Sequence, residues 1–117
     1  MISGFQSPLS GLRAFGIKIQ SNSNNIANAN TDGYKKTRVI LEQVEPHGVK
    51  TQIEKVNTLA PKVFQENSEG LDLIELSNVD LNRELPEIYL NSRMYKANLK
   101  ALETVDDMLG NLLSIKS

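Results

Sequence analysis

The sequence has no cysteine and no tryptophan, and its 117 residues include a single histidine. Without cysteine the chain can form neither disulfides nor thiolate metal sites. Its charge is nearly balanced, with 13 basic and 14 acidic residues, so composition gives no sign of binding to nucleic acid or to an anionic membrane. No apolar run approaches the roughly 18 residues that span a bilayer. A chain of this length is at most one small domain with a modest core.

Residues suited to catalysis are equally scarce. His47 stands in a Pro-His-Gly turn, where a histidine is usually solvated. The acidic residues between Glu66 and Glu75 lack the spacing of a calcium loop. Asp106 and Asp107 are neighbours in a predicted helix, so their side chains diverge by about 100° and cannot act as an acid/base pair. No nucleophile elbow or phosphate-binding glycine pattern occurs. We therefore predict no enzyme, no metal, no cofactor and no small-molecule substrate.

Two segments with helical periodicity lie at the ends of the chain. In the first, apolar or small residues recur in steps of three and four, which is typical of a helix packed along another helix. Ser7 and Pro8 predict its start, and the segment from Asn30 to Gly33 predicts its end in a left-handed cap. The repeat consists of Phe5, Leu9, Leu12, Gly16, Ile19, Ser23 and Ile26.

The second helix follows the same rhythm from Leu81 to Leu113. Because proline is tolerated only in a first turn, Pro86 predicts a start near Glu84 and an end near Ile115, a length of roughly 45 Å. Two helices of one short chain favour antiparallel packing. The predicted helix-helix contacts are Leu9, Leu12, Ile19, Ile26, Leu85, Ile88, Tyr95, Leu99, Leu102, Leu109 and Leu113.

The middle of the chain is β-prone. Val49, Thr51 and Ile53 alternate with polar residues after a turn at 45–48, which predicts a hairpin with one buried face. A further extended piece begins at Pro61, and 67–70 is another turn signal. About forty such residues bury too little surface to fold alone, so we expect them to pack on the helices or on neighbouring subunits. The predicted fold is mainly α: a coiled-coil-like antiparallel pair of long terminal helices with a small β-hairpin element inserted between them.

Asparagines are concentrated near the end of the first helix, with five amides among nine residues. Asparagine is a poor helix former, so we expect these amides to contact something other than water. A frayed, solvated helix end is the alternative. The five are Asn22, Asn24, Asn25, Asn28 and Asn30.

The order of residues 23–36, SNNIANANTDGYKK, resembles the N-terminal signature of the bacterial flagellar axial family of rod, hook and hook-associated proteins. A second element, SRMYKAN at 92–98, followed by Asp107-Met108-Leu109, resembles the C-terminal signature of that family. The middle is compatible with the short β-element of the proximal rod protein of the "C" type. Pro86 departs from the apolar helix former usual there, and the central segment is shorter than in most rod proteins.

The resemblance implies a structural subunit of the flagellar basal-body rod that polymerises helically through its terminal helices. It also implies a periplasmic location, reached through the flagellar type III apparatus without a cleavable signal peptide. Implied partners are copies of the chain and other rod, hook or export-gate proteins. A soluble coiled-coil adaptor or a minor rod-associated paralogue is the alternative.

We expect three segments, namely 1–36, 37–77 and 78–117, of which the first and last form one structural domain. The family motif and expected subunit contacts are Asn24, Asn25, Ile26, Ala27, Asn28, Asn30, Thr31, Gly33, Tyr34, Arg93, Tyr95 and Asn98.

Overall fold

The computed structural model describes residues 2–116, with side chains from 4 to 115, so Met1 and Ser117 of the predicted terminal segments lie outside the described residues. Along the described residues, one long helix precedes four strands and a second long helix follows them. In order, the elements are α1 (Ile2–Ala27), β1 (Thr37–Gln43), β2 (Val49–Lys55), β3 (Lys62–Asn67), β4 (Gly70–Glu75) and α2 (Leu81–Lys116).

The predicted pairing of the terminal helices is confirmed. Near the start of α1, a Cβ built on Gly4 would stand 3.5 Å from Val105. Near its end, Asn22 accepts a hydrogen bond from Asn91 at 2.6 Å. Positions that advance along α1 thus meet positions that recede along α2, so the helices are antiparallel. The molecule is a rod of 80 × 24 × 21 Å.

Helix α1 begins at Ile2, which corrects the predicted start at Pro8. Pro8 therefore lies in the second turn, where it lacks the N–H that would bond the Gly4 carbonyl. Packing of this first turn against α2 overrides the local signal. The helix ends at Ala27, and turns carry the chain to Gly33, whose φ of +73° is the expected left-handed conformation.

Helix α2 begins at Leu81, three residues before the predicted start. Asp80 caps it, since its side-chain Oδ1 accepts a hydrogen bond from the N–H of Asn82 at 3.0 Å and its carbonyl accepts one from Glu84. Pro86 consequently stands in the second turn and leaves the Asn82 carbonyl without its helical donor. At 36 residues, α2 is about 54 Å long, which exceeds the predicted 45 Å.

The β-element consists of two antiparallel hairpins rather than one. In the first, β1–β2, Leu41 pairs with Thr51, and residues on this face pack against α1. Ser10 of α1 accepts a hydrogen bond from the N–H of Val49 at 3.1 Å, which attaches this hairpin to the helix. The expected buried face is thus present, although Ile53 at its far end is exposed.

The second hairpin, β3–β4, projects from the rest of the chain. Within the described residues, neither of its strands packs on a helix or on the first hairpin. Its base is held by a salt bridge between Lys35 and Glu75. On one face Phe64 pairs with Leu73, with Leu71 beside them, and all three side chains are exposed.

Little of this chain is buried. Among the described side chains, only three apolar residues are fully buried, and two of them are alanines: Ala14, Val39 and Ala60. The accessible surface is 8469 Å², whereas a compact chain of this mass exposes about 6,300 Å². The radius of gyration is 20.8 Å, against about 13 Å for a compact chain of this length.

Candidate assembly site

A cluster of buried polar side chains joins the two helices. Glu84 of α2 is 5% exposed, and its carboxylate accepts hydrogen bonds from Asn22 at 2.7 Å and from Asn25 at 3.1 Å. Asn91, one heptad further along α2, donates from its Nδ2 to the side-chain Oδ1 of Asn22 at 2.6 Å. We call these four residues the amide–carboxylate cluster. Its carboxylate is hydrogen-bonded by amide groups and has no cation within salt-bridge distance among the described residues.

Asn25 also connects the helix pair to the β-element. Its side chain is 1% exposed, its Nδ2 donates to the Thr37 carbonyl at 2.9 Å, and its Oδ1 accepts from the Thr37 N–H at 2.9 Å. The Tyr34 hydroxyl donates to the same oxygen at 3.0 Å. Burial and the nearby Glu84 carboxylate raise the pKa of Tyr34 above its usual value. One amide therefore fixes α1, the start of β1 and α2 relative to one another.

The contact between the helices follows a seven-residue repeat that is largely polar. Glu84, Asn91, Asn98 and Val105 of α2 all face α1. At Asn98 the helices approach so closely that a Cβ on Gly11 would stand 2.4 Å from the Asn98 Oδ1. Glycine at position 11 is what permits this approach.

Of the eleven predicted helix-helix contacts, seven are half-buried and four are exposed. In the chain itself Leu85, Leu99 and Leu113 are 52%, 45% and 63% exposed, and Leu9 is also exposed. For Leu85 and Leu99 the inward places are taken by the preceding residues, Glu84 and Asn98. The exposed leucines remain predicted contacts only for helices of neighbouring subunits. The half-buried members of the predicted set are Leu12, Ile19, Ile26, Ile88, Tyr95, Leu102 and Leu109.

Residues of the asparagine motif divide between the interior and the surface. Asn25 contributes to the fold of the single chain, since it is 1% exposed and bonded to Thr37, Tyr34 and Glu84, and contacts of the motif with other subunits stay a prediction. Asn28 stabilises the local turn by donating to the Asn24 carbonyl at 2.8 Å and accepting from Thr31. The exposed members of the motif are Asn24, Ala27, Asn30, Thr31 and Gly33.

The α2 motif divides in the same way. Tyr95 lies against Gly16 of α1, with 3.7 Å between its ring and a Cβ built there. Arg93 instead points outward, where its guanidinium donates to the Tyr89 hydroxyl at 2.6 Å and lies 5.1 Å from the centre of that ring. Tyr95 and Asn98 thus belong to the helix pair, while Arg93 is available at the surface.

Residues important to the site were missing from the predicted set. Besides Glu84 and Asn91, Asn78 bridges the connections, since its Oδ1 accepts from the Lys36 N–H at 2.7 Å and its Nδ2 donates to the Val56 carbonyl at 2.8 Å. The signal for the first two was the spacing of polar residues by seven along α2. For Asn78 no periodic signal exists, because it lies in a loop.

Beyond this cluster, the described residues show neither a metal site nor a membrane span. His47 is exposed in its turn. Between residues 2 and 116, no group of His, Asp or Glu side chains is placed to hold a metal ion. Neither described helix is both long and apolar enough to cross a bilayer.

Two protein families match the chain, one at each end. The family described as "Flagella basal body rod protein" matches residues 5–35, and "Flagellar basal body rod FlgEFG protein C-terminal" matches residues 73–115. No curated protein matches significantly. The two matched ranges cover α1 with its asparagine motif and nearly all of α2, so they include both sides of the amide–carboxylate cluster. The chain therefore belongs to the flagellar basal body rod family, a structural and non-enzymatic family.

Proposed function

We propose that this chain is a structural subunit of the flagellar basal-body rod that polymerises helically through its terminal helices. Rod family proteins assemble with other rod subunits. The observation that supports polymerisation by this chain is its uncovered apolar surface. On α2 alone, large exposed side chains extend from one end to the other, including Leu85, Leu99, Met108, Leu113 and Ile115.

The amount of uncovered surface suits a subunit with several neighbours. The accessible area of 8469 Å² exceeds that of a compact chain of equal mass by roughly 2,000 Å². A standard interface buries about 800 Å² on each partner. The excess therefore corresponds to two or three interfaces, which is what a subunit inside a helical lattice requires and more than a simple dimer uses.

The overhang of α2 supplies one such surface. In the antiparallel register Gly4 faces Val105, so the residues of α2 beyond about position 107 extend past the start of α1. We assign three surfaces to contacts with neighbouring subunits. They are this overhang, the outward leucines of the predicted repeat and the exposed part of the asparagine motif.

Partners, location and subtype follow as parts of the same proposal. The partners are copies of the chain together with other rod, hook or export-gate proteins, and the location is the periplasmic rod. Export through the flagellar type III apparatus accords with the resemblance. The short β-element between the matched ranges favours the proximal rod protein of the "C" type.

The test is assembly of charge-insertion variants. Leu99→Asp places a charge on a 45% exposed outward position, so the monomer should retain its helicity while polymers are lost. Leu102→Asp lies in the half-buried helix contact and should also reduce helicity, because a charge there loses water without gaining a partner. Ala101→Asp, which adds the same charge at an exposed position without a large apolar side chain, is the control and should assemble.

Sedimentation and electron microscopy at rising concentration provide the readout. A heterologous interface generates a growing helical array, whereas a self-complementary one stops at a dimer. Discrete dimers at every concentration would favour the soluble adaptor. Normal polymer yield from Leu99→Asp would remove the outward leucines from the interface.

A further inference from the structure

A cavity of about 410 Å³ opens between α1, the start of β1 and α2. Its wall includes four basic side chains that come from three parts of the chain. Its volume lies within the roughly 300–1,000 Å³ range of ligand pockets. The four basic residues are Lys18, Lys36, Arg38 and Arg83.

The positive charges of this cavity are only partly balanced within the chain. Glu84 and Glu87 also line it, against the four basic side chains, and Arg38 is already paired with Glu54 at 2.8 Å. Among the described residues, Lys36 and Arg83 have no carboxylate within salt-bridge distance. The cavity therefore carries a surplus of positive charge and suits an acidic group from outside.

The β3–β4 hairpin has the complementary charge. Glu66, Glu69 and Asp72 lie at and beside its tip, and Lys62 at its base is the one basic residue of the two strands. Each strand has six residues, so at about 3.3 Å per residue the tip lies roughly 17 Å from the base. Because this hairpin packs on no other described element, its tip is presented outward.

We propose that the basic cavity binds the acidic tip of the β3–β4 hairpin, residues 66–72, of a second copy of this chain. The inference rests on the proposed helical polymerisation and names one of its contacts. The cavity and the tip are different surfaces, so the contact is heterologous and repeats from copy to copy instead of closing a dimer. The exposed face formed by Phe64, Leu71 and Leu73 adds apolar area beside the charged tip.

Because the chain has no cysteine, the contact can be tested with introduced cysteines. One pool of full-length chain carries Ser68→Cys at the tip, and a second carries Thr58→Cys in the cavity wall. Mixing and oxidising the pools under assembly conditions should yield disulfide-linked heterodimers. Lys96→Cys on α2, outside the cavity wall, replaces Thr58→Cys in the control and should give at least tenfold less product.

Charge reversal supplies a second measurement on the same contact. Lys36→Glu with Arg83→Glu should raise the concentration needed for assembly at least tenfold, because acidic groups then face each other. Adding Glu66→Lys and Glu69→Lys at the tip should restore most of the loss. Lys96→Glu with Asp106→Lys reverses exposed charges on α2 and should leave assembly unchanged.

The outcomes separate this inference from the proposed function. Polymers that form without Ser68–Thr58 cross-links above the control, and that tolerate the reversed cavity, would overturn the inference alone. Cross-links confined to discrete dimers would support the contact and contradict helical polymerisation. A chain that shows no self-association, alone or with other rod subunits, would remove both.

Discussion

Removing the Asn25 side chain is the sharpest test of what holds this chain together. Asn25 is 1% exposed and makes close hydrogen bonds to Thr37, Tyr34 and Glu84. In Asn25→Ala the Thr37 N–H and the Tyr34 hydroxyl lose their acceptor, and the Glu84 carboxylate keeps only its one hydrogen bond from Asn22. The control is Asn24→Ala, because Asn24 is the preceding residue of the same helix but is exposed and uses only its backbone carbonyl.

The expected loss can be estimated from these contacts. A buried hydrogen bond contributes about 1 kcal/mol net, and one to a charged group roughly 1.5–3 kcal/mol. The loss of these three partners should therefore lower the free energy of unfolding by about 4 kcal/mol. The better helix propensity of alanine offsets about half a kcal/mol of this loss. A domain is stabilised by only about 5–15 kcal/mol, and this one has a small apolar core. The variant should lose a large share of its stability.

Urea unfolding followed by circular dichroism measures the effect. With a slope of roughly 1.5 kcal/mol per molar urea, Asn25→Ala should lower the midpoint by about 2 M, while Asn24→Ala should leave it unchanged or slightly higher. Asn25→Asp sharpens the test, because a second carboxylate would face Glu84. Such a pair has its folded pKa raised, so the penalty is absent below the unfolded pKa near 4 and grows as pH rises. Equal midpoints for the Asn24 and Asn25 alanine variants would refute a structural role for the cluster.

Three further predictions concern packing, pH and the free monomer. Gly11→Ala should stabilise the helix pair by less than the roughly 1 kcal/mol that its helix propensity offers, because its Cβ meets the Asn98 amide, which must move; the addition of Asn98→Ala should restore that gain in urea unfolding. The hydrogen bond from Lys35 holds the pKa of Glu75 below its ordinary value, so the stability it contributes is present above the unfolded pKa and is lost as pH falls through the folded pKa. The difference in unfolding free energy between the parent and Glu75→Gln should therefore shrink on acidification. A difference that does not change with pH would show that the salt bridge does not contribute to it. The helicity of the dilute monomer should rise further on assembly, because the exposed part of α2 gains cover from neighbouring subunits; equal helicity of a sedimentation-verified monomer and the assembled chain would contradict this.

The fold could be predicted because its signals are local and repeated. Both helices are indicated by apolar or small residues in steps of three and four, and the hairpin turns are indicated by proline and glycine at fixed positions. The helix starts were wrong, since Pro8 and Pro86 are unfavourable locally but are tolerated where tertiary packing or the Asp80 cap compensates. A second hairpin was not predicted although its turn was recognised, because the alternation in its strands is confined to Leu71 and Leu73 around Asp72.

The assembly site was predictable only in part. Counting apolar residues placed Leu85 and Leu99 in the helix contact, whereas the inward positions belong to Glu84 and Asn98. Apolar periodicity cannot reveal such positions, since a buried carboxylate looks like a surface residue until its amide partners are known. The partners of Glu84 lie about sixty residues away in sequence, so only the folded chain brings them together.

A polar helix contact has a consequence that an apolar one lacks, because it distinguishes registers. If α2 slipped by one heptad along α1, Glu84 would leave Asn25 and lie either opposite Lys18 or beyond the end of α1 at Ala27, and Asn98 would lose the space at Gly11. Buried polar groups that lose their partners are costly, so we infer that the cluster selects one register, as a single buried polar residue does in coiled coils. That register fixes the outward leucines relative to the β-element, which a repeating lattice requires. Replacing the cluster's polar contact between the helices outright, with Asn22→Leu, Glu84→Leu and Asn91→Leu, should therefore keep or raise stability but scramble register. Cysteines at Gly4 and Val105 report this, because they should cross-link efficiently in the parent and poorly in the leucine variant; equal cross-linking would show that other contacts set the register.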